Sequence, residues 1–401
     1  MPCAKFAPAI SLLLTGLTLV FAAHPAPAQS QTVLINFTGS PDGNNPTSGL
    51  VSDGEGNFYG TTPFGGVFKT GTVYELSPMG HGGWKEKILY SFTGGADGAL
   101  PYYPVMRDSR GHLYGTTLNG GASGRGVVFE LSPTGGSWTE TVLYSPAKGQ
   151  VGSYPQTGLI MDSAGNLYGA TLGGVFELSP SGSGWTARRI CSVAAHDAIV
   201  AGLAMDATGN IFGNSQATVF ELTPNGKGGW LKHVIHKFAG GPNDGRSAEG
   251  IPVLDQAGNL YGTTQSGGLG GGTGNGTVYK VSPEKHGKWT EKILYFFNGG
   301  SHGYSPFGGV VLDAAGNIYG TTGSGGNSAD GTVFELVAPV GVGDYDEKVL
   351  WNFDGTDGES PHGSLILDNA GNLYGTTYFG GSAVENGCLG NGCGVVFEVT
   401  P

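Results

Sequence analysis

The residues best suited to chemistry recur at the joints of a repeat. Asp42-Gly43, Asp97-Gly98, Asp244-Gly245, His302-Gly303 and Asp357-Gly358 each close a short polar stretch. Gathered at one end of a ring, these carboxylates and the imidazole would form a set able to hold a cation, calcium above all, or a polyhydroxylated ligand. Tyr102, Tyr103, Tyr154 and Tyr304 fall in the same stretches. Their rings could stack on sugars or cover a channel mouth. Asp-Gly is also plain turn chemistry, with Asp capping nearby amides and Gly taking positive φ, and this is the weightier explanation. It applies equally to the Asp-x-x-Gly copies at Asp53, Asp108, Asp162, Asp206, Asp255, Asp313 and Asp368. Each such turn offers one carboxylate, whereas calcium takes about six to eight oxygens. No metal ligand and no cofactor is therefore assigned, with calcium as the one ion these loops could take.

Other chemistries fare worse. Gly299-Gly300-Ser301-His302-Gly303 fits the Gly-x-Ser-x-Gly nucleophile pattern, but no helix follows it. His233 and His236 are three apart on a strand-like run. They point to opposite faces, which argues against a shared metal. There is no phosphate-binding lysine loop and no zinc signature. No catalytic residue is assigned. His302 and His362 break the symmetry of the repeat and would be the acid–base candidates of an enzyme.

The elements that must position these residues form a repeat of about one propeller blade in length. Seven copies of a motif begin at the seven Asp residues named above, the first reading Asp53-Gly54-Glu55-Gly56-Asn57-Phe58-Tyr59-Gly60-Thr61-Thr62. Each copy carries four short runs rich in β-branched and aromatic residues, bounded by Gly, Ser and Pro. Four strands per copy is the content of a blade. The last copy stops after its third run, at Gly394–Pro401, and the segment Val33–Phe37 matches the fourth run Val349–Phe353. The expected fold is therefore all-β: a seven-bladed β-propeller spanning residues 29–401, closed by an N-terminal strand that completes the last blade. Closure also removes edges that invite aggregation.

Within the blade, the third run carries Glu75, Glu130, Glu177, Glu221, Glu335 and Glu398, with Lys280 in the fifth copy. The fourth run carries Lys87, Arg188, His233, Lys292 and Lys348, with Thr141 as an exception. These read as cross-strand pairs on solvated edges. Trp84, Trp138, Trp185, Trp230 and Trp289 share one station at the start of the fourth run, which argues for packing.

Residues 1–28 read as a signal peptide: Lys5, an apolar run over Phe6–Ala23, and Ala26-Pro27-Ala28 as the cleavage signal. An exported, secreted or periplasmic protein is expected, with no membrane span once the signal is removed. Export permits a disulfide, and Cys388 with Cys393 is read as one in preference to a metal site. Cys191 reads as a buried thiol. The net charge of -12 with only 12% charged residues leaves no basic stripe, which excludes nucleic acid and disfavours anionic membranes.

The pattern Gly-Leu-x-x-Asp-x-x-Gly-Asn-Leu-Tyr-Gly-Thr-Thr, followed by Gly-Thr-Val-Phe-Glu-Leu, resembles the GloVer tandem repeat family over nearly all of residues 33–401. The resemblance implies an exported bacterial protein and supplies no catalytic residues. Family members often end in an anchoring segment, and none is expected here. The fourth copy departs from the pattern, with Ile211-Phe212-Gly213-Asn214 in place of Leu-Tyr-Gly-Thr. The function expected is that of a monomeric binding or scaffold module for a glycan or protein. A channel-mouth lyase or hydrolase and a purely structural surface component are the alternatives.

Overall fold

The computed structural model describes residues 29–193, 197–199, 202–269, 274–382, 388 and 391–401. The signal-peptide segment 1–28 lies outside the described residues. Seven small antiparallel sheets follow one another as blades one to seven, over residues 51–91, 106–144, 160–192, 203–237, 253–296, 311–352 and 366–400. In blade one the strands are Val51–Ser52, Phe58–Thr62, Thr72–Pro78 and Trp84–Ser91, in that order from channel to rim. Blade seven takes its outer strand from the other end of the chain: Ser30–Asn36 pairs antiparallel with Val395–Thr400. The ring is closed as the repeat count requires, and the fold is a seven-bladed β-propeller.

The repeated motif can be read as packing instructions. Gly of the Leu-Tyr-Gly-Thr-Thr run lies under an aromatic ring of the neighbouring third strand in every blade. A Cβ built on Gly115 would stand 2.4 Å from the Phe129 ring, and one on Gly375 would stand 2.6 Å from Phe397. Gly115→Ala is therefore expected to overpack the blade and cost about 1–3 kcal/mol in thermal unfolding. Gly80→Ala, which meets nothing within 4 Å, should change stability by less than about 0.5 kcal/mol. Equal melting of the two variants would remove this explanation of the motif.

The first Thr of the run ties four of the blades to the next. Thr61 donates its hydroxyl to the carbonyl of Tyr103 at 3.1 Å, Thr116 to Thr157 at 2.9 Å, and Thr263 to Gly308 at 2.8 Å. Thr376 reaches Ser48 at 2.9 Å, joining blade seven to blade one. In the divergent fourth copy Asn214 does the same work, donating its amide to Gly250 at 2.8 Å and accepting the Tyr279 hydroxyl at 3.0 Å.

The Asp-x-x-Gly segments are turns. Asp53 accepts the amides of Glu55 and Asn57 and the side-chain amide of Asn57, and the other six copies repeat the arrangement with small variations. Burial pushes Asp53 upward, but these hydrogen bonds outweigh it and hold the carboxyl below its usual range.

One sequence reading is corrected here. The third-strand glutamates pair in register with the fourth-strand bases, but they are not all solvated: Glu177 and Glu335 are 5% and 8% exposed. Arg188 at 2.6 Å and Lys348 at 3.2 Å cover them from the solvent side. Where Thr141 offers no base, His112 supplies one to Glu130 at 2.8 Å. Lys280, facing Lys292 in the register, turns its ammonium over the Tyr261 ring, 5.1 Å from the centroid. The tryptophans bridge blades: Trp138 leans on Tyr59, Trp230 on Tyr168 and Trp289 on Phe212. Cys191 is buried, and Cys388 and Cys393 form a disulfide. Among the described residues no helix is long and apolar enough to cross a membrane.

Candidate functional site

Two sets of polar residues lie outside the turns and the edge pairs. One is spread around the rim, at the junctions between blades. The other converges on the central channel.

At each junction the loop leaving an outer strand meets the outer strand of the next blade. The Asp-Gly residues occupy these loops. Asp42 accepts the amide of Thr38 at 3.0 Å and its hydroxyl at 2.9 Å. Asp97 does the same with Thr93 and also receives the Tyr90 hydroxyl at 3.1 Å. Asp244 accepts the amide of Ala239. Asp357 accepts the Trp351 indole at 2.7 Å and the Asp354 amide at 3.0 Å. His302 pairs with Glu347, which also accepts the Tyr295 hydroxyl. The Gly of each pair is forced by contact: a Cβ on Gly43, Gly98 or Gly245 would stand 2.4 Å from the threonine ending a second strand.

Across three of these junctions a second carboxylate faces the first. Glu86 lies against Asp42, Glu140 against Asp97, and Glu291 against Asp244, each on the outer strand of the following blade. Burial, and then the neighbouring Asp, push Glu86 up to about 8 and Glu140 up to about 7. The expected mouth ring is thus not assembled: the four Asp residues and His302 sit at separate junctions and bond locally. Of the aromatic candidates, Tyr154 and Tyr304 are exposed, with Arg125 5.3 Å over the Tyr154 ring. Tyr102 and Tyr103 line the channel.

The channel set rests on a repeated backbone device. The loop into each inner strand begins with a residue held at positive φ: Asn45, Leu100, Tyr154, Ser247, Ser305 and Ser360, all between 54° and 60°. Five of them precede proline. Each donates its amide to the blade before it, as Leu100 does to Thr70 at 2.9 Å and Ser360 to Asp330 at 2.8 Å. Such strained residues persist only where the surroundings fix them. Two residues further on, the chain presents Thr47, Tyr102, Gln156, Glu249, Phe307 and His362. The seventh copy, Val200, lies outside the described residues. A motif that is otherwise near-uniform carries a different side chain at every copy of this one station.

Thr47, Tyr102, Glu249, Phe307 and His362 line a cavity of about 160 Å³ together with Tyr103 and several loop glycines. His362 lies 4.4 Å from the Phe307 ring and stacks on Tyr378 at 5.3 Å and 16°. Its Nε2 is 3.2 Å from the Ser360 hydroxyl. Burial pushes the imidazole down to about 4, so it is neutral at neutral pH. Burial raises Glu249. Tyr103 bonds Gln156 at 3.2 Å, and burial followed by the charges of Tyr102 and Glu249 pushes its phenol up to about 12. His362 stood out in the sequence as an asymmetric residue. Glu249, Phe307 and the shared station did not. Writing the seven copies in register would have exposed the station.

A larger groove of about 820 Å³ runs between blades three and four, past Trp230, Arg188 and Glu177. Its acids are already spent on Asn166, Tyr168 and Arg188. The channel groups face one another across blades, and we take the channel as the site.

The sequence profile of the Gloeobacter/Verrucomicrobia repeat matches residues 15–215 and 191–401. No match was found among curated protein sequences. Among solved structures, virginiamycin B lyase from Staphylococcus aureus is similar at TM-score 0.57 and 14% identity, covering 93% of this chain and 99% of its own. A catalytically inactive variant of that lyase with quinupristin is similar at TM-score 0.57 and 12% identity, covering 93% and 99%. A protein from Lactobacillus plantarum is similar at TM-score 0.54 and 13% identity, covering 82% and 95%. At these identities the likeness is one of fold.

Proposed function

Because the chain belongs to the Gloeobacter/Verrucomicrobia repeat family, whose repeat here closes into a seven-bladed ring, we propose that it is an exported binding module that takes a glycan unit at the channel. One observation carries the reading: a single station holds unlike side chains in every blade, and five of them surround one cavity. Phe307, His362, Tyr102 and Tyr103 offer ring faces, and Glu249 and Thr47 offer polar atoms, to a group held among them. Flat apolar faces beside a few placed polar groups suit a sugar ring, whose C–H face stacks while its hydroxyls bond. The volume, about half the lower end for drug-sized ligands, suits one such ring. His362 is neutral and has carbon rings, not a carboxylate, beside it. That arrangement favours stacking over proton transfer.

Screening the chain on a glycan array and titrating the best glycan by calorimetry tests the proposal. His362→Ala and Glu249→Gln should each weaken binding about tenfold or more. Asp357→Asn, on the rim, should leave it unchanged. Binding that ignores both channel variants, or an array with no captured glycan, would sink the reading. N-terminal sequencing of secreted material, expected to begin at Gln29, tests the export part.

A further inference from the structure

The junction between blades four and five differs in kind from the other six. At the outer-strand station opposite the third-strand valine, four other blades place Tyr90, Tyr144, Tyr295 or Trp351, and the remaining two place Cys191 and Ile35. Those aromatics donate hydrogen bonds into their junctions. Blade four places His236 there. One of its ring nitrogens, the loop carboxylate of Asp244 and the carboxylate of Glu291 on blade five lie within 4.8 Å of one another. Among the described residues this is the one group of three such side chains so arranged.

The contacts inside the group are unlike those of a hydrogen-bonded network. His236 Nε2 stands 3.5 Å from Asp244 Oδ1. Both His236 Nε2 and Glu291 Oε1 are buried and make no hydrogen bond among the described residues. Buried polar atoms without partners are few in native proteins and call for an explanation. Bonds of about 2.0–2.1 Å to a tetrahedral ion hold two N or O ligands about 3.3 Å apart. That is close to the His236–Asp244 separation. Edge-on packing of His236 against Phe238, at 4.8 Å between ring centroids, fixes the plane of the imidazole. The side chains of His236 and Asp244 are 20% and 15% exposed, which leaves an ion a way in.

From this arrangement we propose that His236, Asp244 and Glu291 form a binding site for a divalent first-row transition ion of the zinc type, clamping blade four to blade five. One imidazole and two carboxylates are a borderline donor set suited to such ions. Calcium, which prefers six to eight oxygens, fits the nitrogen poorly. Three protein ligands leave a fourth position to water.

The test uses the untagged, metal-stripped chain, titrated with Zn²⁺, with Co²⁺ and with Ca²⁺ by calorimetry and, for Co²⁺, visible absorption. One equivalent of Zn²⁺ or Co²⁺ is expected to bind and to raise the melting temperature. His236→Tyr installs the residue that three other junctions carry, so its fold should hold by circular dichroism. It should weaken Zn²⁺ by at least the roughly 10- to 100-fold seen when a supporting partner of a metal ligand is lost. Glu291→Gln should weaken it by about tenfold or more. No uptake of Zn²⁺ or Co²⁺ by the parent chain would overturn the proposal. So would unchanged affinity in a folded His236→Tyr variant, or selective uptake of Ca²⁺ that the variant retains.

Discussion

Deleting Ser30–Asn36 is expected to open the ring and abolish cooperative unfolding. That strand is the outer strand of blade seven, and its hydrogen-bonded pairing with Val395–Thr400 joins the two ends of the chain into a circle. Without it Val395–Thr400 becomes a bare edge, and Phe37, fully buried against Tyr74 at 5.2 Å, loses its anchor. Removing the packing of one buried Phe costs about 3–5 kcal/mol. A native domain holds only about 5–15 kcal/mol in reserve, so loss of that contact together with a whole strand should exceed what the ring can absorb. Limited proteolysis and a thermal scan would show it as rapid cleavage and a lost or much earlier transition. A synthetic peptide of residues 29–38, added in excess, should restore protection by adding itself as a strand. A deletion variant that melts within a few degrees of the parent would end the closure argument.

Glu86→Gln is expected to stabilise the protein at pH 8. The folded chain holds the Glu86 proton up to about 8, against 4.5 for a free side chain. Below pH 4.5 both folded and unfolded chains are protonated there, and the group contributes nothing to the slope. Between 4.5 and about 8 the folded chain binds the extra proton, so stability falls as pH rises. One pH unit is worth at most 1.36 kcal/mol. The full window has an upper bound of about 5 kcal/mol, which water reaching the pair reduces to about 2 kcal/mol. Glu140, raised to about 7 by burial and Asp97, acts in the same direction. The turn carboxylates Asp53, Asp108, Asp162, Asp206, Asp255 and Asp368 act oppositely: held low, they withdraw stability as pH falls below about 3.8. Stability should therefore peak near pH 4–5. Glu86→Gln should flatten the decline above that peak, read as melting temperature against pH. A variant that melts lower than the parent at pH 8 would show the Glu86 charge to be satisfied.

The fold was legible because its determinants are local and repeated. Asp and Gly at fixed offsets set the turns, and the orphan run Val33–Phe37 matched the missing strand of blade seven. The site was less legible because its determinants are nonlocal. Asp-Gly suggested a ring of carboxylates, yet the loop direction carries Asp42 and Asp97 to the rim, where they meet Glu86 and Glu140, 44 and 43 residues away in sequence. Nothing in the spacing of Glu86 distinguishes it from the solvated charges Lys85 and Lys87 beside it. In the sequence His236 and His233 fall on opposite faces of one strand and so share no ion. The fold turns His233 to Glu221 and leaves His236 with Asp244 and Glu291. The channel station needed a different comparison, of one position across seven copies.

The left-handed residue at the head of each channel loop has a bearing on how such a protein changes. Its amide is held by the preceding blade, so the loop's path is set by backbone bonds that do not depend on the side chain two places on. Thr, Tyr, Gln, Glu, Phe and His already occupy that place on the same scaffold. A recognition surface assembled this way can be rewritten one blade at a time, leaving the architecture untouched, and the seven positions form a natural alphabet for engineering new selectivities.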